Sequence, residues 1–271
     1  MKPSINQWAF PGDMPATDAI SLAKKIGFSA FEVCVGEAGP TRLDATEAEI
    51  TAIRKHAEAE GITLCSVGSG LGWDHPFSST DAQVRAKALE VNQKALQITQ
   101  WLGADALLVV PGSCDANTSY DVALENMLEG IRALGATAEK LKVAAAVENV
   151  WNKVLISPVE MRDFIDQCEN EYVGAFVDVG NMVLFGFPEQ WLRILGHRVK
   201  AVHMKDFRAS AGNMDGFVML MEGDVNWPEV MAALREIGYD RGLTAEYGPY
   251  KHSLEAMLQH VLTSIETIMS L

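Results

Sequence analysis

Two periods of apolar and polar residues alternate along the chain. Short runs of β-branched, aromatic or small apolar residues read as strands. Between them, apolar residues three and four apart read as amphipathic helices. Ile5–Trp8 is the first strand-like run, followed by helical spacing over Thr17–Ile26. Ala30–Val35 predicts a second strand and Thr46–Glu60 a second helix. Thr46 and Glu49 have the spacing of a capping box, and Gly61 ends that helix. Ile62–Val67 and Ala106–Val110 predict strands three and four, with a long helix over Asp81–Leu102 between them. Tyr120–Leu141 reads as helix and Val143–Glu148 as strand five. The next helix opens at Ser157-Pro158-Val159-Glu160, with serine as cap, proline in the first turn and glutamate closing the box. Val173–Asp178, Val199–His203 and Gly242–Glu246 predict the last three strands. Pro188–Leu195, a segment from Asn226 to near Gly238, and His252–Leu271 predict helices, and a long loop joins His203 to Asp224.

Eight strands alternating with helices imply parallel strands joined by helical crossovers. In 271 residues this favours an α/β fold of the closed (β/α)8 type, a TIM barrel, over an open doubly wound sheet. The expectation is a single domain over residues 1–271. No Gly-x-Gly-x-x-Gly follows the first strand and no Walker-type phosphate loop occurs, which removes the main support for a nucleotide-binding sheet.

Strands five to eight share one feature. Each ends on a residue able to bind a metal: Glu148, Asp178, His203 and Glu246. Side chains alternate along a strand, so Glu148 shares a face with Ala146, Asp178 with Phe176 and Gly174, His203 with Ala201 and Val199, and Glu246 with Thr244. In a parallel barrel the C-terminal strand ends lie on one rim, where active sites are built. Three carboxylates converging there repel one another unless positive charge lies between them. One divalent ion is the simplest solution, and three oxygens with one nitrogen suit Mn²⁺, Mg²⁺, Co²⁺ or Zn²⁺.

Composition narrows the remaining classes. Hydrophobic residues make up 48% of the chain, enough for a large core. The net charge of −14 argues against broad binding to nucleic acid or an anionic membrane. No run is long and apolar enough to span a bilayer, and the N-terminal stretch lacks the apolar core of a signal peptide. Cys34, Cys65, Cys114 and Cys168 have no zinc-type spacing and read as reduced thiols in a cytoplasmic protein.

Four motifs carry a resemblance: Glu148-Asn149, Asp178-Val179-Gly180-Asn181, His203-Met204-Lys205-Asp206 and Ala245-Glu246. Together they resemble the xylose-isomerase-like TIM barrels, and within them the sugar and sugar-phosphate 3-epimerases of the D-tagatose and L-ribulose-5-phosphate type. The segment Glu222-Gly223-Asp224-Val225-Asn226-Trp227 resembles that group too. The resemblance implies a metal-dependent isomerase, with Mn²⁺ the favoured ion, that inverts C3 of a ketose or ketose phosphate. A cation on the carbonyl and adjacent hydroxyl oxygens stabilises an enediolate, while two carboxylates act as acid and base. Those two match Glu148 and Glu246, with Asp178 and His203 as further metal ligands. The chain departs from the tagatose-type pattern at Val154, which stands for a second glutamate, at Asn181, which stands for a histidine, and at Arg208, one position short of an arginine.

Lys205, Arg208, Asn149, Asn181 and His75 are the expected substrate contacts, since each lies just past a strand end on the same rim. Glu32, on strand two, faces the pocket or pairs with a neighbouring lysine. Trp8, Trp73 and Trp151 are candidate walls against a sugar's C–H face, and the methionines of Met214–Met221 read as core packing ahead of a lid. The expected partner is a small sugar or sugar phosphate, and a dimer or tetramer is compatible with such a barrel. Related alternatives are an aldose–ketose or hydroxypyruvate-type isomerase and an inosose dehydratase-like lyase. A DNA-cleaving AP endonuclease relative fits poorly with an acidic chain that has few histidines on the rim.

Overall fold

The computed structural model describes residues 1–271. Eight parallel strands close into a barrel. They are β1 (Lys2–Asn6), β2 (Ala30–Val35), β3 (Thr63–Ser69), β4 (Ala106–Val109), β5 (Ala144–Glu148), β6 (Val173–Asp178), β7 (Val199–Met204) and, last in the chain, β10 (Gly242–Ala245). The ring runs in chain order, with β10 seated between β7 and β1. Between β7 and β10 the chain forms a small antiparallel hairpin, β8 (Asp206–Phe207) with β9 (Phe217–Val218).

Helices cover the outside: α1 (Ala16–Ile26), α2 (Glu47–Glu60), α4 (Ala82–Leu102), α5 (Tyr120–Leu141), α6 (Pro158–Gln167), α8 (Pro188–Leu195), α9 (Trp227–Glu236) and α10 (Leu254–Met269). Single turns α3 (Leu71–Asp74) and α7 (Val179–Met182) sit on the C-terminal rim. Thr46 and Glu49 form the expected reciprocal box at α2. At α6, Ser157 accepts from Glu160 N, but the Glu160 carboxylate accepts from Ile156 N and Tyr120 OH and so ties α6 to α5.

A cluster of 66 buried apolar residues fills the layer between strands and helices. Each Leu, Ile or Phe fully buried there contributes roughly 1.5–3 kcal/mol. Inside the barrel a separate cluster of Ala106, Leu108, Val110, Ala144, Ala146, Phe176 and Ala201 packs one half of the interior. The other half is polar, with Ser4, Asn6, Glu32, Ser66 and Thr244 all buried. Val199, expected beneath His203, packs in the outer layer. The β6–β7 register slips between Ala175 and Phe176, opposite this point, so the alternation is broken there.

Two further boundaries differ from the sequence pattern. β1 stops at Asn6 and not Trp8, because the Asn6 side chain accepts from Trp8 N at 2.6 Å and turns the chain into a 3-10 helix at Gln7–Ala9. The stretch read as one long loop after His203 holds the β8–β9 hairpin. None of the helices is long and apolar enough to cross a membrane.

Candidate metal centre

The ends of β5, β6, β7 and β10 bring Glu148, Asp178, His203 and Glu246 together. One donor atom from each lies within 4.8 Å of the other three. Asp178 and His203 face each other across the β6–β7 pairing, and His203 stands beside Thr244 of β10. Asp178 and His203 have no exposure, Glu148 has 5%, and the Glu246 side chain retains 20%. An ion with bonds of about 2.1 Å spans donor separations up to about 4.2 Å, so contraction by about half an ångström would close the cluster on it.

The hydrogen bonding supports that fit. His203 Nδ1 lies 2.8 Å from Glu246 Oε2, 3.6 Å from Glu148 Oε1 and 4.0 Å from Asp178 Oδ2. Lys205 Nζ lies 2.9 Å from both Asp178 Oδ2 and Glu246 Oε2. Yet Asp178 Oδ2, His203 Nδ1 and Glu246 Oε2 are buried without an aligned hydrogen bond. These atoms are close but face a shared space, which is what a common cation needs. Lys205 offsets part of the negative charge, and the misaligned polar atoms that remain are costly unless something fills that space.

Electrostatics separates the four groups. Burial pushes the Glu148 carboxyl up to about 7 against the pull of His203. Burial likewise raises Asp178, and Lys205 offsets it only in part. For Glu246 burial also acts upward, but His203 and Lys205 outweigh it and hold the group well below the usual carboxylate range. Burial opposes charge on His203 and Lys205, yet the surrounding carboxylates win and raise both.

Glu32 proves to be the partner of the imidazole. It is fully buried on β2 and accepts from Asn6 and Ser66, and it sits 2.8 Å from His203 Nε2. It lines neither rim cavity and pairs with no lysine, the two roles its place on β2 predicts. The carboxylate holds Nε2 as the N–H side and leaves Nδ1 to face the cluster, an arrangement that fixes a ligand's tautomer. Phe176 packs on the same ring, with centroids 4.4 Å apart.

The expected substrate contacts are placed unevenly. Lys205 lines the cavity above the cluster. Asn149 does not present its amide to that cavity: Oδ1 accepts from Asp178 N and Nδ2 donates to Asp178 O, both at 2.9 Å. Asn181 lines the cavity, but its amide donates to Asn149 O and its backbone N–H caps Asp178 Oδ1. The two asparagines thus lock the strand ends that carry Glu148 and Asp178. Arg208 is exposed, donates to Glu222 O at 3.3 Å and lines neither rim cavity. His75 is turned toward Glu37, 3.3 Å away.

A cavity of about 370 Å³ opens over Glu148, Lys205 and Glu246. Trp8, Trp73 and Trp151 line it, as do Phe217 and Met214 from the hairpin. Met214 is 67% exposed, so the core-packing reading of its stretch fails there, while Leu220 is buried. Trp151 packs edge-on against Phe185 and Phe207, and the Lys205 ammonium lies 5.4 Å from the Phe217 ring. The hairpin carried no periodic signal in its two-residue strands; the aromatic pair Phe207 and Phe217 was the one available hint.

Asp206 holds this region together. It is fully buried and accepts from the N–H groups of Phe207, Met221 and Val225 and from Trp227 Nε1. A Cβ on Gly223 would come within 2.1 Å of Asp206 Oδ1, so glycine is required there. The Glu222–Trp227 motif therefore serves to fasten the hairpin over the rim.

The fold has counterparts among known proteins. One curated relative, an L-ribulose-5-phosphate 3-epimerase from Escherichia coli, is 24% identical over 239 residues, covering 87% of this chain and 83% of its own length. Among solved structures, a D-psicose 3-epimerase determined with D-fructose superposes with a TM-score of 0.82 at 20% identity, covering 98% of both chains. An IolI protein solved with a bound zinc atom superposes at 0.83 and 15% identity, covering 100% of this chain and 98% of its own. The family model described as xylose isomerase-like TIM barrel matches residues 20–266. This chain belongs to the xylose isomerase-like TIM barrel family.

Proposed function

We propose that this protein is a divalent-cation-dependent ketose 3-epimerase, with Mn²⁺ as the preferred ion. One observation carries the reading: three carboxylates and an imidazole, on four neighbouring strands, converge within 4.8 Å on the catalytic rim. The epimerase names of its relatives agree with it.

Glu148, Asp178, His203 and Glu246 would hold the cation. When bound, it supplies the positive charge that acidifies a C–H next to a carbonyl. Glu148 and Glu246 are the outer members of the arc β5–β6–β7–β10, so they bracket whatever lies over Asp178 and His203. One glutamate takes the C3 proton and the other delivers a proton to the opposite face, and their roles exchange in the reverse reaction. Glu32 orients His203, and Asn149 and Asn181 fix the ends of β5 and β6. Lys205 balances Asp178 and Glu246. The tryptophans lining the cavity cover apolar faces of the sugar and exclude water.

Exchange of substrate C–H with D₂O, followed by NMR on a panel of ketoses, tests this reading. Chelated protein should lose exchange at C3 and regain it with Mn²⁺ or Co²⁺. Full exchange after verified metal removal would refute the cation's role. Deuterium at C1 in place of C3 would make the protein an aldose–ketose isomerase.

A further inference from the structure

We propose that the site takes a neutral ketose and not a ketose phosphate, with the Gln7 amide donating to a hydroxyl at the substrate's far end. This rests on the epimerase reading of the same site.

The cavity over the cluster shares Trp8 and Gly70 with a larger one of about 750 Å³, so the two lie side by side on the rim. A ketose reacting at the cluster sends its remaining carbons along this space. Among all residues lining the two cavities, Lys205 is the one cationic side chain. Its ammonium already lies 2.9 Å from two carboxylates. The larger cavity instead presents Glu37 and Asp74. His75, next in the chain to Asp74, is itself 3.3 Å from Glu37. Arg208 and Lys251 line neither cavity.

A phosphate dianion is normally held by Arg or Lys forks or by the amides of a helix N-terminus. Here α3 is a single turn, and its first amide, Leu71 N, is already directed to Ser69 Oγ at 3.3 Å. A phosphate entering this space would lose hydration and meet like charge, with Lys205 already committed to two carboxylates.

Neutral recognition, by contrast, has a built donor. Gln7 is 6% exposed and lines the larger cavity. Its Oε1 accepts from Cys34 N at 2.9 Å, which fixes the amide plane. Its Nε2 is buried and has no partner. A buried amide donor without a partner is costly, and a sugar hydroxyl oxygen would satisfy it once the amide turns toward the cavity that Gln7 lines.

Matched pairs test this: L-ribulose against L-ribulose 5-phosphate, and D-fructose against D-fructose 6-phosphate. With Mn²⁺-loaded protein, C3 deuterium uptake gives kcat/KM and calorimetry gives Kd. The free sugar of each pair is expected to be favoured at least tenfold in both. Gln7→Ala should raise KM for the free ketose about tenfold with little change in kcat, the loss of one neutral hydrogen bond. An unchanged KM would overturn the role given to Gln7. A phosphate preferred at C3 would overturn the neutral-substrate proposal and leave the epimerase reading standing. If no sugar exchanges at C3, the epimerase reading falls, and Kd alone decides: tighter binding of the free sugars supports the proposal, and tighter or equal binding of the phosphates, or no binding of either, overturns it.

Discussion

Glu246 and Glu32 show how one residue type can serve two ends within a few ångströms. Glu246 keeps 20% of its side chain exposed at the cavity floor, where it can reach a substrate proton. Glu246→Gln should leave the protein folded and reduce C3 proton exchange by about 10²–10⁴-fold, measured by NMR in D₂O. Near-normal exchange in that variant would remove Glu246 from the acid–base pair. Glu32 is sealed below and touches only Asn6, Ser66 and His203 among its polar partners. Glu32→Gln weakens the grip on His203 Nε2, so divalent-ion affinity should fall by about 10–100-fold. A competition titration with a fluorescent chelator measures this, and unchanged affinity would show that His203 orients itself without Glu32.

At the scale of elements, the β8–β9 hairpin decides what the rim cavity looks like, and Asp206 decides where the hairpin sits. Gly223→Ala drives a methyl group into Asp206 Oδ1, 2.1 Å from the ideal Cβ position. The expected cost is about 1–3 kcal/mol, as for other overpacked buried sites. Urea denaturation reads that loss, and limited proteolysis should cut earliest between Asp206 and Asn226; a variant as stable as the parent would mean the segment relaxes freely. A second element-level tie joins α6 to the start of β7. Arg198 Nε and Nη2 donate to Asp166 at 2.5 and 2.7 Å, and this hydrogen bonding holds the Asp166 carboxyl below its usual range. Because the folded-state value is depressed, the contribution is present above the ordinary value of 3.8 and is lost as pH falls through the lower, folded value. Half-exposure of Asp166 limits it to below about 1 kcal/mol. Asp166→Asn should therefore lower thermal stability slightly at pH 7, and the difference should shrink as pH falls below 3.8.

At the scale of the whole molecule, the barrel closes β10 against β1 and thereby brings residues from both ends of the chain under one site. Asn6 and Glu32 come from the first strands, His203 and Glu246 from the last. A cation that binds this cluster binds only the closed barrel, so it should stabilise the fold as a whole. Mn²⁺ at a hundred times its Kd should add about 2.7 kcal/mol to unfolding. Calorimetric melts with and without Mn²⁺ should differ in the parent protein, and the difference should vanish in Asp178→Ala. An equal shift in that variant would place the ion elsewhere.

Strand–helix alternation and the four metal-capable strand ends were legible from the chain because both are local. Hydrophobic period sets each element, and alternation along a strand sets which side of it Glu148, Asp178, His203 and Glu246 occupy. The same locality limits the reading. Asn149 and Asn181 read as substrate contacts in the chain and Asp206 as one residue of a motif, and only the fold shows their side chains bonded across neighbouring segments. Val199 left the expected face because a register slip between two strands is a property of the pair. Glu32 lies 171 positions from His203, and no spacing rule connects them; closure of the barrel does. Local pattern is thus enough for the barrel and for placing four metal-capable side chains on its rim. Tertiary structure alone decided which way His203 faces, what roofs the cavity, and which cations stand near enough to meet a substrate, because those depend on contacts between residues far apart in the chain.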